Sequence, residues 1–368
     1  MGYFKIIMGL LGWIGMIVTM LVCSKSRRRL RRRRHSSYSS QPNVQDPKVV
    51  VIGGGTGQSV FLRGLKTVTK NITAVVTVSD DGGGSGALRE DLGMLPPGDI
   101  RNCLLALANI EPTMSEVMQY RFPDGSLKGQ SFGNLFLAAM NGIYGNFETA
   151  VYKLSEVFAI TGKVLPATLQ DVNLVARLKD GEVVRGESTI PKVARHRGTS
   201  IDMVRLDPPN VKPLGDVLNA IYDADVVVIG PGSLYTSVIP NLLIEGVADA
   251  IIETNAPKIY ISNIMTQPGE TGGYDVVDHI EAIEKHIGEN YIDCVITNNE
   301  ILPVEVLEHY QEKGAEQVFL DKKQADKLDK MGIKHIEKNM VDIKNNYIRH
   351  DAKYISNIIV EIASNLFY

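Results

Sequence analysis

Short apolar runs, each followed by a polar or glycine-rich turn, recur along this chain of 368 residues. Apolar runs with few charges are typical of strands buried on both faces of a parallel sheet. Between them, apolar residues recur at helical spacing, as at Val60, Phe61 and Leu65. Strands that alternate with helices predict a Rossmann-like, doubly wound α/β fold with a mostly parallel sheet. The predicted strands are 49–52, 72–78, 224–229, 258–261 and 292–296.

A different pattern occupies the middle of the chain. Apolar and polar residues alternate in LVARLKDGEVVRGE, residues 174–187, around Asp180 and Gly181. This alternation around an Asp-Gly pair predicts a β-hairpin, and residues 201–206 predict another strand. We therefore expect a small antiparallel β insertion at about 164–210. A basic cluster within it is typical of a solvated loop and consists of Lys192, Arg195, His196 and Arg197.

The amino-terminal residues predict a membrane anchor. Tyr3 to Cys23 are almost wholly apolar, with Lys5 near one end, and about 20 such residues are needed to cross a bilayer as a helix. Seven arginines follow between Arg27 and Arg34. The positive-inside rule then keeps the rest of the chain in the cytoplasm, and the arginines are expected to lie against anionic lipid headgroups.

These patterns divide the chain into a transmembrane helix with its arginine-rich segment at 1–35, a linker at 36–47 and an α/β domain at 48–368. Residues 1–46 carry nine Lys and Arg and one acid, so the rest carries 30 bases and 41 acids, a net charge of −11. A nucleic-acid-binding domain needs a basic surface, so we expect no nucleic-acid partner. The three cysteines lack the paired spacing of a disulfide framework or a zinc site.

The glycine-rich turn GGGTG at 53–57 is the first candidate for a binding site. A glycine turn at a helix start exposes backbone N–H groups in the positive potential of the helix dipole, which favours an anionic ligand. The strict dinucleotide pattern would require glycine where Gln58 stands. The motif alone therefore names no dinucleotide, and a turn used only for tight packing remains an alternative.

A second glycine-rich turn, SDDGGGSG at 79–86, follows the second predicted strand. The two turns should meet at one edge of the sheet, because both follow parallel strands of one βαβ unit. Asp80 lies near the position of the ribose-binding acid of dinucleotide folds. Alternatively, Asp80 and Asp81 hold Mg²⁺, whose preferred ligands are carboxylate and phosphate oxygens. A flexible turn without a ligand is the third interpretation.

Two helix starts carry further candidates. Asp99 is placed to cap the helix that follows Pro97 and Gly98. Arg101 and Asn102 then fall in its first turn, where an arginine gains nothing from the helix dipole, so we expect an anionic partner for Arg101. Ser131 is expected to cap the next helix, and Asn134 is placed to face a ligand.

Six motifs together resemble the YvcK-type gluconeogenesis factors of the CofD-like superfamily, which also contains the 2-phospho-L-lactate transferase of deazaflavin cofactor biosynthesis. The resemblance extends over nearly the whole chain from Lys48 onward. It implies binding of UDP-sugars, notably UDP-N-acetylglucosamine, and a role in cell shape and wall synthesis during growth on gluconeogenic carbon. The motifs are GGGTG at 53–57, SDDGGGSG at 79–86, LPPGDIRNCL at 95–104, SFGNLFLAAM at 131–140, GPGSLYTSVIPNLL at 230–243 and NIMTQPGET at 263–271.

The resemblance also implies a set of ligand-binding residues. It places Thr56 and its flanking glycines on the diphosphate of the ligand, and Asp80 and Asp81 at the ligand or metal edge. Tyr310 and Arg349 are implied to reach the nucleotide-sugar. Together with Arg101, Asn102 and Gly232, which are candidates from the sequence itself, the complete set of predicted ligand-binding residues is Gly53, Gly54, Gly55, Thr56, Gly57, Asp80, Asp81, Arg101, Asn102, Asn134, Gly232, Ser233, Tyr235, Asn263, Tyr310 and Arg349.

Three functions are consistent with these observations. The first is a regulatory protein that binds UDP-N-acetylglucosamine or UDP-glucose, and the absence of an evident nucleophile–base pair favours it. The second is a Mg²⁺-dependent enzyme similar to 2-phospho-L-lactate transferase, with the ion at Asp80 or Asp81. The third is an NAD-binding oxidoreductase. A homo-oligomer is compatible with each of them.

Overall fold

The structure is a computed structural model that describes residues 46–344 and 347–364. The predicted membrane anchor at 1–35, and all but the last two residues of the predicted linker at 36–47, lie outside these residues. Within the described part of the chain, no single helix has the length and apolar composition needed to cross a membrane. The two helical segments Leu234–Leu242 and Val247–Glu253 have sufficient length and apolar composition only when taken together, and the chain bends by 76° between them.

The core of the domain is a seven-stranded sheet in which all neighbouring strands are parallel. Its central strands are wholly apolar and buried, since helices cover both faces of the sheet. The predicted α/β fold with a large parallel sheet is therefore confirmed. Numbered in chain order, the strands from one edge to the other are β10 (Lys334–Lys338), β9 (Cys294–Asn298), β8 (Lys258–Ile261), β7 (Val226–Ile229), β1 (Val49–Gly53), β2 (Ile72–Val76) and β3 (Lys163–Pro166).

The direction in which strands are added to the sheet reverses at β1. The chain runs outward from β1 to β3 on one side, returns to β7 and then runs outward to β10 on the other side. Val49 pairs with Ile72 of β2 and with Val226 of β7. Ligands of open parallel sheets bind outside the carboxyl ends of the strands at such a reversal. We call the space between the loops after β1 and β7 the switch-point crevice.

Helices cover the sheet and connect its strands. A short π-helix, Leu234–Val238, follows β7. The last helix crosses the first so closely that a Cβ at Gly64 would lie 2.4 Å from the carbonyl carbon of Ala352. The helices are α1 (Gly55–Leu65), α2 (Gly83–Leu92), α3 (Gly98–Leu107), α4 (Pro112–Gln119), α5 (Phe132–Tyr144), α6 (Phe147–Val157), α7 (Ile190–Arg197), α8 (Gly215–Tyr222), α9 (Ile239–Leu242), α10 (Val247–Glu253), α11 (Val276–Ile287), α12 (Val304–Gln311), α13 (Lys322–Met331) and α14 (Ala352–Ala363).

A separate antiparallel sheet confirms the predicted β insertion. It consists of β4 (Asn173–Leu178), β5 (Val183–Arg185) and β6 (Ile201–Asp207), with β4 in the centre. The unit is narrower than predicted, because β3 belongs to the main sheet. The expected basic loop is instead the helix α7, which has a proline in its first turn and ends at Gly198 with a φ of 64°. We refer to 173–207 as the antiparallel unit.

Candidate functional site

Two glycine loops in direct contact form the floor of the switch-point crevice. A Cβ at Gly57 would lie 3.0 Å from the carbonyl oxygen of Pro231 and 3.1 Å from the Cα of Gly232. A Cβ at Gly232 would lie 3.2 Å from the carbonyl oxygen of Gly54. Gly55 has a φ of 66°, in the left-handed region that favours glycine. The loops after β1 and β7 can therefore approach this closely only without side chains.

Gln58, which breaks the strict dinucleotide pattern, has a structural role. Its side chain is fully buried. Its Nε2 donates hydrogen bonds to the carbonyl oxygens of Val51 at 3.0 Å and Val75 at 3.1 Å, which lie on the adjacent strands β1 and β2. The side chain at this position therefore ties the first helix to the sheet beneath it.

The carboxylate of Asp99 binds the backbone N–H group at the start of α1. Its Oδ2 accepts a hydrogen bond from the N–H of Gly55 at 2.7 Å. The prediction that Asp99 caps its own helix is wrong, because α3 begins at Gly98 and Asp99 lies inside its first turn. Burial raises the pKa of Asp99 to about 6, and the nearby carboxylate of Asp80 adds to the increase.

Asp80 and Asp81, the predicted Mg²⁺ ligands, lie just beyond the carboxyl end of β2. Asp80 Oδ1 accepts a hydrogen bond from the N–H of Gly82 at 2.9 Å, and Asp81 Oδ1 accepts one from the N–H of Ser188 at 2.8 Å. The second carboxylate oxygen of each makes no hydrogen bond within the described residues, so both fit a Mg²⁺ ion chemically. No group of three or more His, Cys, Asp or Glu side chains within 46–344 and 347–364 is arranged to hold a metal.

Glu187 reaches the crevice from the antiparallel unit. It lies next to Ser188, whose N–H contacts Asp81 across a separation of 107 residues. Burial raises the pKa of Glu187 to about 8. Neighbouring carboxylates raise it further, and these belong to Asp80, Glu270, Asp99 and Asp81. The crevice therefore has a strongly acidic side.

The loops after β7 and β8 form the opposite wall. Asn263 Nδ2 donates a hydrogen bond to the carbonyl oxygen of Gly232 at 3.0 Å. Gln267 Nε2 donates to the hydroxyl of Ser233 at 2.7 Å. The structure thus brings the predicted residues Gly232, Ser233 and Asn263 together with the glycine loop at 53–57.

The side chain of Tyr235 is buried against Tyr274 of the loop after β8. Its side chain is 2% exposed, and its hydroxyl lies 2.8 Å from the hydroxyl of Tyr274. Its backbone N–H donates to Glu270 Oε2 at 3.3 Å, and the hydroxyl of Thr236 donates to Glu270 Oε1 at 3.2 Å. Burial raises the pKa of Glu270 to about 7. The contact between Tyr235 and a ligand that the resemblance implies stays a prediction.

Arg101, Asn102 and Asn134 lie together on the β2 side of the crevice. Arg101 donates hydrogen bonds to the hydroxyl of Ser131 and, at 2.7 Å, to Asn102 Oδ1. The predicted cap of α5 is confirmed, because the hydroxyl of Ser131 accepts a hydrogen bond from the N–H of Asn134 at 3.2 Å. No carboxylate within the described part of the chain forms a salt bridge with Arg101.

Tyr310 and Arg349 belong to the carboxyl-terminal hairpin and its contacts. The hairpin pairs β11 (Val341–Lys344) with β12 (Tyr347–His350). The hydroxyl of Tyr310 accepts a hydrogen bond from the N–H of Ile348 at 2.9 Å, and Arg349 is exposed. His350 Nε2 lies 3.0 Å from the carbonyl oxygen of Ser262, directly after β8. The hairpin therefore lies at the same edge of the sheet as the crevice.

Comparison with known proteins assigns the family. The family model described as 2-phospho-L-lactate transferase CofD matches residues 49–341. The chain belongs to the CofD family. The match begins at β1 and ends at the first residue of the carboxyl-terminal hairpin, so it includes both glycine loops, the acidic side of the crevice and the antiparallel unit.

Relatives of known description place the chain in the gluconeogenesis-factor branch of the CofD family. It is 57% identical over 317 residues to a protein of Thermoanaerobacterium thermosulfurigenes, covering 86% of this chain and 97% of the relative. It is 46% identical over 319 residues to the gluconeogenesis factor of Bacillus subtilis, covering 86% of this chain and 98% of that protein. A crystal structure of a Bacillus halodurans protein is similar with a TM-score of 0.82 at 46% identity, covering 86% of this chain and 100% of that chain.

Proposed function

We propose that this protein binds a UDP-sugar, UDP-N-acetylglucosamine or UDP-glucose, in the switch-point crevice. In this proposal it acts as a regulatory protein that supports cell shape and wall synthesis during growth on gluconeogenic carbon. The gluconeogenesis-factor name of its Bacillus subtilis relative supports the metabolic part of the proposal.

The contact between the two glycine loops carries the proposal. Gly54 and Gly57 lie against Pro231 and Gly232 with no space for side chains, so backbone groups of two loops are available to a ligand at one point. This point is the strand-order reversal at which open parallel sheets bind nucleotides. Ser233 and Asn263 add polar groups on the opposite wall.

The regulatory interpretation is favoured by the two buried cysteine thiols of the described residues, neither of which is an activated nucleophile. Burial raises the pKa of the Cys103 thiol well above its ordinary value and that of the Cys294 thiol to about 12, and a thiol is a weak nucleophile when it stays protonated. The carboxylates of Asp80 and Asp81 favour the second function, a Mg²⁺-dependent enzyme similar to 2-phospho-L-lactate transferase. In that case Mg²⁺, when bound there, would neutralise charge on a reacting phosphoryl group.

Calorimetry of the full chain tests the proposed ligand. We expect binding heat with UDP-N-acetylglucosamine or UDP-glucose and none with NAD. Heat with NAD alone would favour the oxidoreductase instead. Incubation with Mg²⁺, a deazaflavin acceptor and an activated phospholactate donor separates regulator from transferase, because only the transferase would yield a phospholactyl product.

The proposal also places the α/β domain on the cytoplasmic side of a membrane. The apolar run from Tyr3 to Cys23 and the arginines between Arg27 and Arg34 support it through their composition alone. We expect the full chain to sediment with membranes and a chain without residues 1–34 to stay in the supernatant. Sedimentation of the shortened chain with membranes would contradict the anchor.

A further inference from the structure

Arg101 is a buried charge that forms no salt bridge within the described residues, although the Asp99 carboxylate lies near enough to raise its pKa. The residue is only 8% exposed, and its guanidinium donates to the hydroxyl of Ser131 and to Asn102 Oδ1. Its Nε has no hydrogen-bond partner, and no carboxylate within the described residues forms a salt bridge with it. Burying a charge is expensive unless the charge is paired. An anion from outside the described chain would supply the missing partner.

The guanidinium lies at the amino-terminal end of a long helix. Its partner Ser131 is the cap of α5, which runs for 13 residues from Phe132. The contact is tight, because a Cβ at Gly133 would lie 2.6 Å from the Cδ of Arg101. The N–H groups of Phe132 and Asn134 already donate to the carbonyl oxygen of Tyr120 and to Ser131, so the attraction for an anion at this helix start comes mainly from the helix dipole. Arg101 and the start of α5 therefore act on the same space.

The buried oxygen atoms of two amide side chains at this place also lack hydrogen-bond partners within the described residues. Asn134 is 3% exposed, and its Oδ1 makes no hydrogen bond; the same is true of the buried Oε1 of Gln130. An amide can be rotated so that its NH₂ group replaces its oxygen, and the choice is set by the available partners. Both side chains can therefore present donors to an anion.

A second helix start and a second arginine add positive potential. The first turn of α2 touches the same cluster, because a Cβ at Gly84 would lie 2.6 Å from Gln130 Oε1. Burial lowers the pKa of Arg101 to about 10; the nearby Arg121 guanidinium also lowers it, and the Asp99 carboxylate raises it. Arg101 is thus charged at neutral pH, and Arg121 increases the positive potential around it.

The glycine loop offers a phosphate a less favourable environment. The N–H of Gly55 already binds the Asp99 carboxylate at 2.7 Å. The carboxylates of Asp80 and Asp81 lie on the same side of the crevice, whereas Glu187, with a pKa of about 8, stays protonated at neutral pH. Like charges in a partly desolvated crevice repel strongly. A phosphate at the glycine loop would therefore need a cation or a proton, whereas one at Arg101 would complete a buried pair.

We propose that the phosphate groups of the ligand bind at Arg101, Asn134 and the amino-terminal turn of α5, and not at the glycine loop. We call this cluster the Arg101 subsite. Naming the ligand a UDP-sugar rests on the proposed function, whereas an anion subsite at this position does not.

The test compares two variants of the full chain by calorimetry with UDP-N-acetylglucosamine, inorganic pyrophosphate and uridine. Arg101→Met should weaken binding of the two phosphate-bearing probes by about 10- to 100-fold, as expected for the loss of a charge-assisted hydrogen bond. Binding of uridine, which has no phosphate, should not change. Asn134→Asp should abolish pyrophosphate binding while preserving the fold, because an acid in the first turn of a helix is favourable and would itself pair with Arg101.

Arg89→Met is the matched control. The Arg89 side chain is 9% exposed and already has an ionic partner in Asp171, so its loss should lower the melting temperature but leave pyrophosphate binding unchanged. If either Asn134→Asp or a folded Arg101→Met variant binds pyrophosphate as tightly as the parent, or if the parent does not bind it, the subsite is refuted. If the parent binds pyrophosphate but does not bind UDP-N-acetylglucosamine, only the proposed function is refuted. If both variants bind pyrophosphate and UDP-N-acetylglucosamine as tightly as the parent, only the subsite is refuted.

Discussion

Replacement of Gly54 by alanine should weaken UDP-N-acetylglucosamine binding by about tenfold or more and lower the free energy of unfolding by roughly 1–3 kcal/mol. A Cβ at Gly54 would lie 2.6 Å from the Cγ2 of Thr77 and 2.9 Å from Asp99 Oδ2. Neither neighbour moves freely. The Thr77 hydroxyl lies 3.0 Å from that of Ser79, and the Asp99 carboxylate is held by the N–H of Gly55. The glycine loop must therefore shift.

Calorimetry gives the affinity, and urea unfolding gives the stability of the Gly54→Ala variant. Gly272→Ala is a suitable control, because Gly272 lies in an exposed turn of the opposite wall and its Cβ would meet no atom within 4 Å. The control should retain both properties of the parent. An unchanged affinity in the Gly54 variant would show that the ligand does not bind at this loop.

Glu270→Gln should remove about 3 kcal/mol of the pH dependence of folding stability. The carboxyl group is 5% exposed, and burial raises its pKa from an ordinary value of 4.5 to about 7. Between these two pH values the folded state holds a proton that the unfolded state has lost. Stability therefore falls as pH rises from 4.5 to 7 and stays constant above it for this group. Asp99 and Glu187 contribute in the same direction.

Urea unfolding of parent and variant at several pH values between 5 and 8 measures this effect. The difference between their free energies of unfolding should change with pH in favour of the glutamine variant, because glutamine does not titrate. Thr236→Val is a second check. It removes the hydroxyl that donates to the Glu270 carboxylate at 3.2 Å, so the fall in stability should extend to higher pH. A difference that is constant with pH would contradict the buried, proton-binding carboxyl.

The hydrophobic pattern predicts the centre of the sheet well and its edges poorly. The central strands β1 and β7 are continuous apolar runs because both of their faces are covered. The edge strand β10 has the sequence KHIEK with no fully buried residue, so it leaves no such run. The opposite edge strand, β3, has only four residues and lies directly before the antiparallel unit. Its membership of the main sheet depends on pairing with β2, which no local pattern encodes.

The residues of the candidate site likewise fall into those that the local sequence predicts and those that it does not. The residues that directly follow a strand, such as the glycines at 53–57, Asp80 and Ser233, are predictable because a doubly wound sheet gathers its loops at one edge. Asp99 shows the limit. Its sequence position suggests a helix cap, whereas its partner is an amide 44 residues away. The position of Glu187 in the crevice cannot be predicted from the local sequence at all, since only the docking of the antiparallel unit on Asp81 brings it there.

The strand order also determines when the crevice can form during synthesis. β1 pairs with β2, which follows after one helix, but its other neighbour is β7, and Asn241 donates a hydrogen bond to the carbonyl oxygen of Gly53 across 188 residues. Contacts of such long sequence separation are late and slow to close. A chain emerging from the ribosome can therefore complete β1, β2 and their helix early. The other side of β1 stays unpaired until more than half of the protein has been synthesised. The ligand site is consequently completed only after β7 and Asn241 have been added, so its presence reports that the two halves of the sheet have joined at β1.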